Sequence, residues 1–300
     1  MRIHLVDSSP YIFRAFFSIP SSVTAPDGTP ANAIYGFGGF LLKLLDDESV
    51  SHIALAFDRS LTTSFRNDIY PEYKAQRELP PRELEDQLDG CEKLGEALGL
   101  KTFSDKRYEA EDLLGSLLGP LAEEAPEAER VLVSSDKDLA QLVDAKTELF
   151  DLAKDTRYDA AGVREKFGVE PAQIADYLAL AGDTVDNIPG VPGIGKKTAA
   201  ALLAHRPDVE ALLSDTDGVA ELPIRGARSL AKKLTEHADA ARLSKRLATI
   251  ATDAPARATP DELAIRPVDF EAFDALTERW ASSAAAVFLP MPGTPGILST

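Results

Sequence analysis

The stretch Ile3-His4-Leu5-Val6-Asp7 opens the chain with a strand-type run that ends in an acid. The arrangement returns at His52-Ile53-Ala54-Leu55-Ala56-Phe57-Asp58 and at Arg130-Val131-Leu132-Val133-Ser134-Ser135-Asp136. Near-continuous apolar runs of this length suit strands covered on both faces. A weaker run, Thr147-Glu148-Leu149-Phe150, adds a candidate fourth strand. Between the runs, helical patterns cover residues 33–45, 83–98, 109–122 and 137–143. Strands alternating with helices predict an α/β fold with a parallel sheet and right-handed crossovers. In such sheets ligands bind beyond the carboxyl ends of the strands, where Asp7, Asp58 and Asp136 all fall.

From about residue 171 the strand signal fades. Helical patterns follow at 171–180, 196–205, 207–213 and 226–250, with a turn-rich stretch at 182–195. A proline-rich segment at 253–267 precedes a last helix at about 270–282, and Glu123 to Glu127 reads as a solvated acidic loop. A length of 300 residues fits two units, divided here as 1–170 and 171–300.

Hydrophobic residues at 44% and charged residues at 27% exclude global disorder. No run approaches the roughly 18 apolar residues of a membrane span, and no signal-type segment precedes Asp7, so a soluble cytoplasmic chain without membrane contact is expected. Cys91 is the only cysteine, which excludes an internal disulfide and a thiolate cluster. The formal charge of −17 should repel nucleic acid on average. Where the acids sit decides whether that objection holds.

Beyond the strand ends, acids gather at Glu109-Ala110-Glu111-Asp112, at Asp136-Lys137-Asp138, and at Asp183 and Asp186. If these points converge, nine carboxylates line one cleft. Hard divalent cations want oxygen ligands, and two of them can clamp the attacking and leaving oxygens of a phosphoryl displacement. Singly, each acid is as well read as a helix cap or a turn former.

Gly190-Val191-Pro192-Gly193-Ile194-Gly195-Lys196-Lys197-Thr198 nearly matches a phosphate-binding P-loop. However, Lys197 stands at the Ser/Thr position and no strand precedes it. A helix–hairpin–helix at about 183–205 fits better, presenting turn amides and a helix N-terminus to one backbone phosphate. Arg59, Arg66, Lys74, Arg77 and Arg82, interleaved with Tyr70 and Tyr73, form a basic segment after the second strand. Such a segment is either a solvated surface or a single-strand track.

On these motifs the chain resembles the 5′-nuclease family: flap endonucleases and the 5′→3′ exonuclease domain of bacterial DNA polymerase I. The likeness runs from Leu5-Val6-Asp7 through Phe57-Asp58, Phe65-Arg66, Tyr73-Lys74-Ala75-Gln76-Arg77, Tyr108 to Asp112, Asp136 to Leu139 and Gly182 to Ala199, and is still visible at Leu247 to Ile250. It implies a PIN-like nuclease core with a helical arch over about 66–95 and a C-terminal helical region. A first metal site is implied at Asp7, Asp58, Glu109, Glu111, Asp112 and Asp136, and a second at Asp136, Asp138, Asp183 and Asp186, filled by Mg²⁺ or Mn²⁺. Lys74 and Arg77 are expected to steer the scissile phosphate. Tyr73 is expected to stack on a displaced base, and Arg14, Arg66, Gly193, Gly195, Lys196, Lys197 and Thr198 to contact DNA. The carbonyls of Val191 and Ile194 are expected to hold K⁺. The chain departs from the family at Glu111, where bacterial relatives have aspartate, and at Ser8, where glycine is usual. The expected function is a metal-dependent nuclease, active as a monomer on DNA with a 5′ flap or end next to duplex. With no polymerase segment after Thr300, a free-standing or excised nuclease is expected. The competing expectation is a junction-binding module without catalysis.

Overall fold

Six strands form one sheet in the order β3-β2-β1-β4-β5-β6. They are β1 (Arg2–Asp7), β2 (His52–Asp58), β3 (Lys101–Asp105), β4 (Glu129–Val133), β5 (Thr147–Asp151) and β6 (Thr156–Tyr158). All neighbours pair in parallel except β5 and β6. The structure is a computed structural model and describes residues 1–280 apart from Glu48 and residues 60–62. The strand order reverses between β1 and β4, and this switch point opens a crevice at their carboxyl ends.

Alternate residues of the strands feed two cores. On one face α1 (Ser9–Ser18), α2 (Asn32–Leu45) and, after the short α3 (Phe65–Ile69), α4 (Arg82–Ala97) pack with Val6, Ile53, Leu55, Phe57, Val131 and Val133. On the other, α5 (Ala110–Glu124) packs with Ile3, Leu5, Ala54, Ala56 and Leu132. This core continues into the helical half: α6 (Ala160–Phe167), α7 (Ile174–Ala181), α8 (Lys196–Leu203), α9 (Val209–Ser214), α10 (Thr216–Ala220), α11 (Ala227–Glu236) and α12 (Ala238–Ala248). The helix expected over 226–250 is thus two, broken at His237. The pattern at 137–143 forms a 3-10 turn, Asp138–Leu142.

Two boundaries differ from expectation. The part of the expected arch from residue 82 to 95 belongs to α4, whose Leu84, Leu88, Cys91 and Leu94 are buried at helical spacing against the sheet core. Only the segment before α4 is free of that core. The chain beyond α12 also does not stay in the helical half. Ile265 N–H donates to Ser51 O at 3.0 Å, Arg266 N–H to Gly99 O at 3.1 Å and Asp269 N–H to Ala97 O at 2.8 Å. Gly99 has φ +77°, and a Cβ there would meet Arg266 O at 2.2 Å, so the crossing requires glycine. Phe273 and Trp280 of α13 (Phe270–Trp280) then join the α1/α2/α4 core. The expected helix ran on to residue 282, and residues beyond 280 lie outside those described. Among the described residues no helix is long and apolar enough to cross a membrane.

Candidate active site

Small hydroxyl residues tie the strand ends together. Ser134 Oγ donates to Asp7 Oδ2 at 2.8 Å and accepts from Asp136 N–H at 2.9 Å. Asp136 Oδ1 in turn accepts from Asp138 N–H at 2.9 Å. Asp58 Oδ1 accepts from Ala110 N–H at 2.7 Å, which docks the first turn of α5 onto β2. That turn carries Glu109 and Glu111.

The result is a cleft of about 360 Å³ at the switch point, lined by Asp7, Asp58, Glu109, Glu111, Asp136, Asp138 and Asp186. Seven of the nine expected acids are therefore together. Lys74, Arg77 and Lys137 stand among them: Lys74 Nζ lies 2.5 Å from Glu109 Oε2 and 3.7 Å from Asp186 Oδ2, and Arg77 pairs with Asp186. Among the described residues no three acids are drawn together as a finished ion shell. Lys74, Arg77 and Lys137 leave several acids under-compensated. Asp7 Oδ1 and Asp138 Oδ1 are buried without a hydrogen-bond partner. Burial, and then Asp58, push the Asp7 carboxyl well above the ordinary range. Burial and Asp136 lift Asp138 to about 7. Burial raises Glu111 well up despite Arg66. Glu109 is the exception: burial would raise it, but Lys74 and Arg66 outweigh that and hold it down. A crowded, all-oxygen donor set with buried oxygens that accept no hydrogen bond fits hard divalent cations.

Other expected site residues lie elsewhere. Asp112 is fully buried and faces Arg66, not the cleft. Arg66 is equally buried, so it cannot touch DNA as expected. Tyr73 is 2% exposed, with its hydroxyl 3.3 Å from Glu109 Oε2, so it has no face on which a base could stack. Asp183 sits behind the cleft; burial would raise its carboxyl, but the hydrogen bond from Lys137 Nζ at 2.6 Å holds it low. Arg14 lines a separate groove with Phe40 and Lys43 of α2. Lys74 and Arg77 do reach the cleft, but from a turn in which Lys74 has φ 54°, and not from one helix face.

The glycine-rich stretch joins α7 to α8. Gly190 has φ +65°, and a Cβ there would lie 2.4 Å from Gly182 N, so the two ends of the loop close on each other only through glycine. Gly195 caps α8 without a side-chain hydrogen bond, and Lys196 and Lys197 are exposed on its first turn while Thr198 is half-buried. Val191 O accepts from Ile194 N–H at 2.9 Å. Lys233 Nζ of α11 donates to Gly193 O at 3.1 Å, so the turn carries an ammonium of its own.

The family model for the 5′-3′ exonuclease N-terminal resolvase-like domain matches residues 2–168, and that for the 5′-3′ exonuclease C-terminal SAM fold matches residues 169–271. The chain belongs to the 5′-3′ exonuclease family. The chain is 44% identical over 250 residues to DNA polymerase I of Pseudomonas aeruginosa and 38% identical over 277 residues to that of Bacillus subtilis. These matches cover 83% and 91% of the chain but span only 27% and 30% of the polymerases. It is 34% identical to the 5′-3′ exonuclease of Buchnera aphidicola, covering 93% of this chain and 96% of that protein. T5 5′-exonuclease with bound divalent metal ions (zinc) shares the fold at TM-score 0.67 and 20% identity, covering 96% of this chain and all of that one. T5 flap endonuclease in complex with DNA and metal ions matches at TM-score 0.66 and 20% identity, covering 93% and 98%.

The site also contains residues that the motifs did not single out. Lys137 neutralises Asp183 and lies 3.3 Å from Asp138. Gln76 Nε2 donates to Thr184 O and Val185 O, both at 3.0 Å, and Asn187 Nδ2 to Glu72 O at 2.7 Å. These bonds tie the turn bearing Lys74 and Arg77 to the loop bearing Asp186. Lys137 could have been found from its place between two site acids; an amide-to-backbone bridge leaves no sequence pattern.

Proposed function

We propose that the chain acts as a 5′→3′ exonuclease and flap endonuclease, cutting DNA where a 5′ single strand meets duplex, in replication and repair. The observation that carries this is the cleft itself: seven carboxylates at the switch point, two with buried oxygens that accept no hydrogen bond, beside two basic side chains on one turn. Two or more Mg²⁺ or Mn²⁺ ions would be held by Asp7, Asp58, Glu109, Glu111 and Asp136 on one side and by Asp136, Asp138 and Asp186 on the other. Bound there, such ions supply Lewis acidity for water activation and for the leaving 3′ oxygen. Asp183 supports that second group through Lys137. Lys74 and Arg77, paired in the DNA-free chain with Glu109 and Asp186, receive the scissile phosphate and hold it against the acids.

Duplex binding falls to the hairpin. The turn amides, the first turn of α8, Lys196 and Lys197 address backbone phosphate without reading sequence. A K⁺ on the Val191 and Ile194 carbonyls belongs to this reading, with Lys233 as the neighbouring charge it must tolerate. Cleft and hairpin are complete within one chain, which supports a monomer.

The test is cleavage of end-labelled 5′-flap, blunt and single-stranded DNA in Mg²⁺, Mn²⁺ or chelator. The reading requires metal-dependent products cut near the flap junction. Metal-independent cleavage, or flap binding without cleavage in any metal, overturns it.

A further inference from the structure

Asp112 and Arg66 are both fully buried, and neither faces the cleft, yet Asp112 directly follows the cleft acid Glu111 and Arg66 lies against it. The two Asp112 oxygens take four donors. Oδ2 accepts from Arg66 Nη1 at 2.7 Å and from Glu109 N–H at 3.0 Å. Oδ1 accepts from Arg66 Nη2 and from Ala251 N–H, both at 2.8 Å. Arg66 also donates to Leu247 O at 2.8 Å and Thr249 O at 3.2 Å. Beyond Asp112, the same guanidinium lies 3.2 Å from Glu111 Oε1 and 3.9 Å from Glu109 Oε2.

One buried cation is therefore shared between an acid that has no access to the cleft and two that line it. A carboxylate with every lone-pair direction filled by N–H donors has nothing left for a metal ion. We infer that Asp112 is no metal ligand but forms with Arg66 a positioning pair that leaves Glu109 and Glu111 free for the cleft. Asp112 satisfies most of the guanidinium by a two-pronged pairing, the strongest geometry available to it. Without that charge, Arg66 is a buried cation facing two acids, and it competes with incoming divalent ions for both. The inference rests on the nuclease reading above.

The experiment compares wild type, Asp112→Asn and the double variant Arg66→Gln/Asp112→Asn. The readouts are Mn²⁺ binding by calorimetry without DNA, melting temperature, and single-turnover flap cleavage across a Mn²⁺ titration. Asp112→Asn is expected to weaken Mn²⁺ binding by about tenfold or more and to shift half-maximal cleavage to higher Mn²⁺, with the saturated rate largely kept. The double variant, having lost the competing cation, should return to within about threefold of wild type, since contacting residues couple by this order. Equal weakening in both variants means that Asp112 binds metal itself, and overturns the inference. Unchanged Mn²⁺ binding with a lowered melting temperature overturns it too, leaving a purely structural pair. If Asp112→Asn does not fold, the double variant decides by the same threefold criterion, and its failure to fold also counts against the inference. Wild type that binds Mn²⁺ but cleaves no flap would instead fault the nuclease reading, leaving the binding comparison intact.

Discussion

The cleft and the hairpin both face a polyanion, but they hold their charges in opposite ways. In the cleft, largely buried acids hold the bases that reach them, and Lys74 Nζ is already committed to Glu109 before any substrate arrives. At the hairpin, Lys196 and Lys197 stand in solvent and the remaining donors are backbone. Desolvated charge is strong and fixed, which is what stabilising a transition state demands. Exposed charge is weak and screened, which suits reversible tracking of duplex. The chain's −17 thus opposes DNA less than the total suggests, because seven acids are gathered in one cleft built to receive cations.

The contrast breaks most visibly at Asp7. Asp7→Asn should abolish cleavage yet raise the metal-free melting temperature, because it relieves the repulsion from Asp58. Duplex affinity measured in Ca²⁺ should hardly move; a parallel fall in affinity would mean that cleft and hairpin are not separable. Next in size, Lys74→Ala should lower single-turnover cleavage by about 10²–10³, the effect of losing one preorganised donor at a developing charge. Its dissociation constant for flap DNA should stay near wild type, and cleavage at the normal rate would return Lys74 to an ordinary surface role.

A pH measurement sharpens the comparison by separating loss of fold from loss of chemistry. His4, on β1 beneath the cleft, is 1% exposed, and burial, with Arg2 and Arg157 adding and Asp47 opposing, lowers its pKa to about 4. It is neutral when folded and takes up a proton near pH 6.5 when unfolded, so its contribution is complete above 6.5 and is lost as pH falls toward 4. By pH 5 the loss should reach about 2 kcal/mol. Urea unfolding of His4→Leu between pH 7 and 5 should lack this component; an unaltered slope would show that His4 is not the source.

Smaller effects belong to the hairpin. Lys197→Ala should weaken binding, reduce the salt slope by about one unit and leave the single-turnover rate alone. Smallest of all, exchanging K⁺ for Na⁺ should alter duplex affinity only slightly while Lys233 occupies the turn, and more in Lys233→Met. A large K⁺ dependence in the wild-type chain would show that Lys233 is no substitute for the ion.

Much of this was legible in the sequence where burial is symmetrical. The three central strands and the acids at their ends follow from continuous apolar runs, since both faces of those strands are covered. β3 escaped because Lys101-Thr102-Phe103-Ser104-Asp105 is an edge strand with mostly polar side chains. The helix after Asp7 escaped because Ser9-Pro10 reads as a turn, although proline is well placed in a first helical turn. Among site residues, the motif brought out every acid but could not say which way each one points. Asp112 turns inward because it accepts the Glu109 N–H across the first turn of α5 and meets Arg66, and Tyr73 turns inward to fill the core. Arch and core could not be told apart in 82–95 without knowing where Leu84 and Cys91 pack.

The return of the chain after α12 has a consequence for how the protein is made. His52 on β2 bridges Ala264, and Gly99 meets Arg266. On a ribosome, the residues that build the catalytic sheet emerge early, but the segment that closes its β2 and β3 side emerges only after the whole DNA-binding half. The contacts fall at the amino-terminal ends of β2 and β3, opposite the cleft, and Asp186 joins the cleft from the helical half in between. Contacts between residues so far apart along the chain are costly to close and slow to form. Within this circuit the hairpin lies between the sheet and the segment that returns to it, so the β2 and β3 side is closed by chain that follows the helical half.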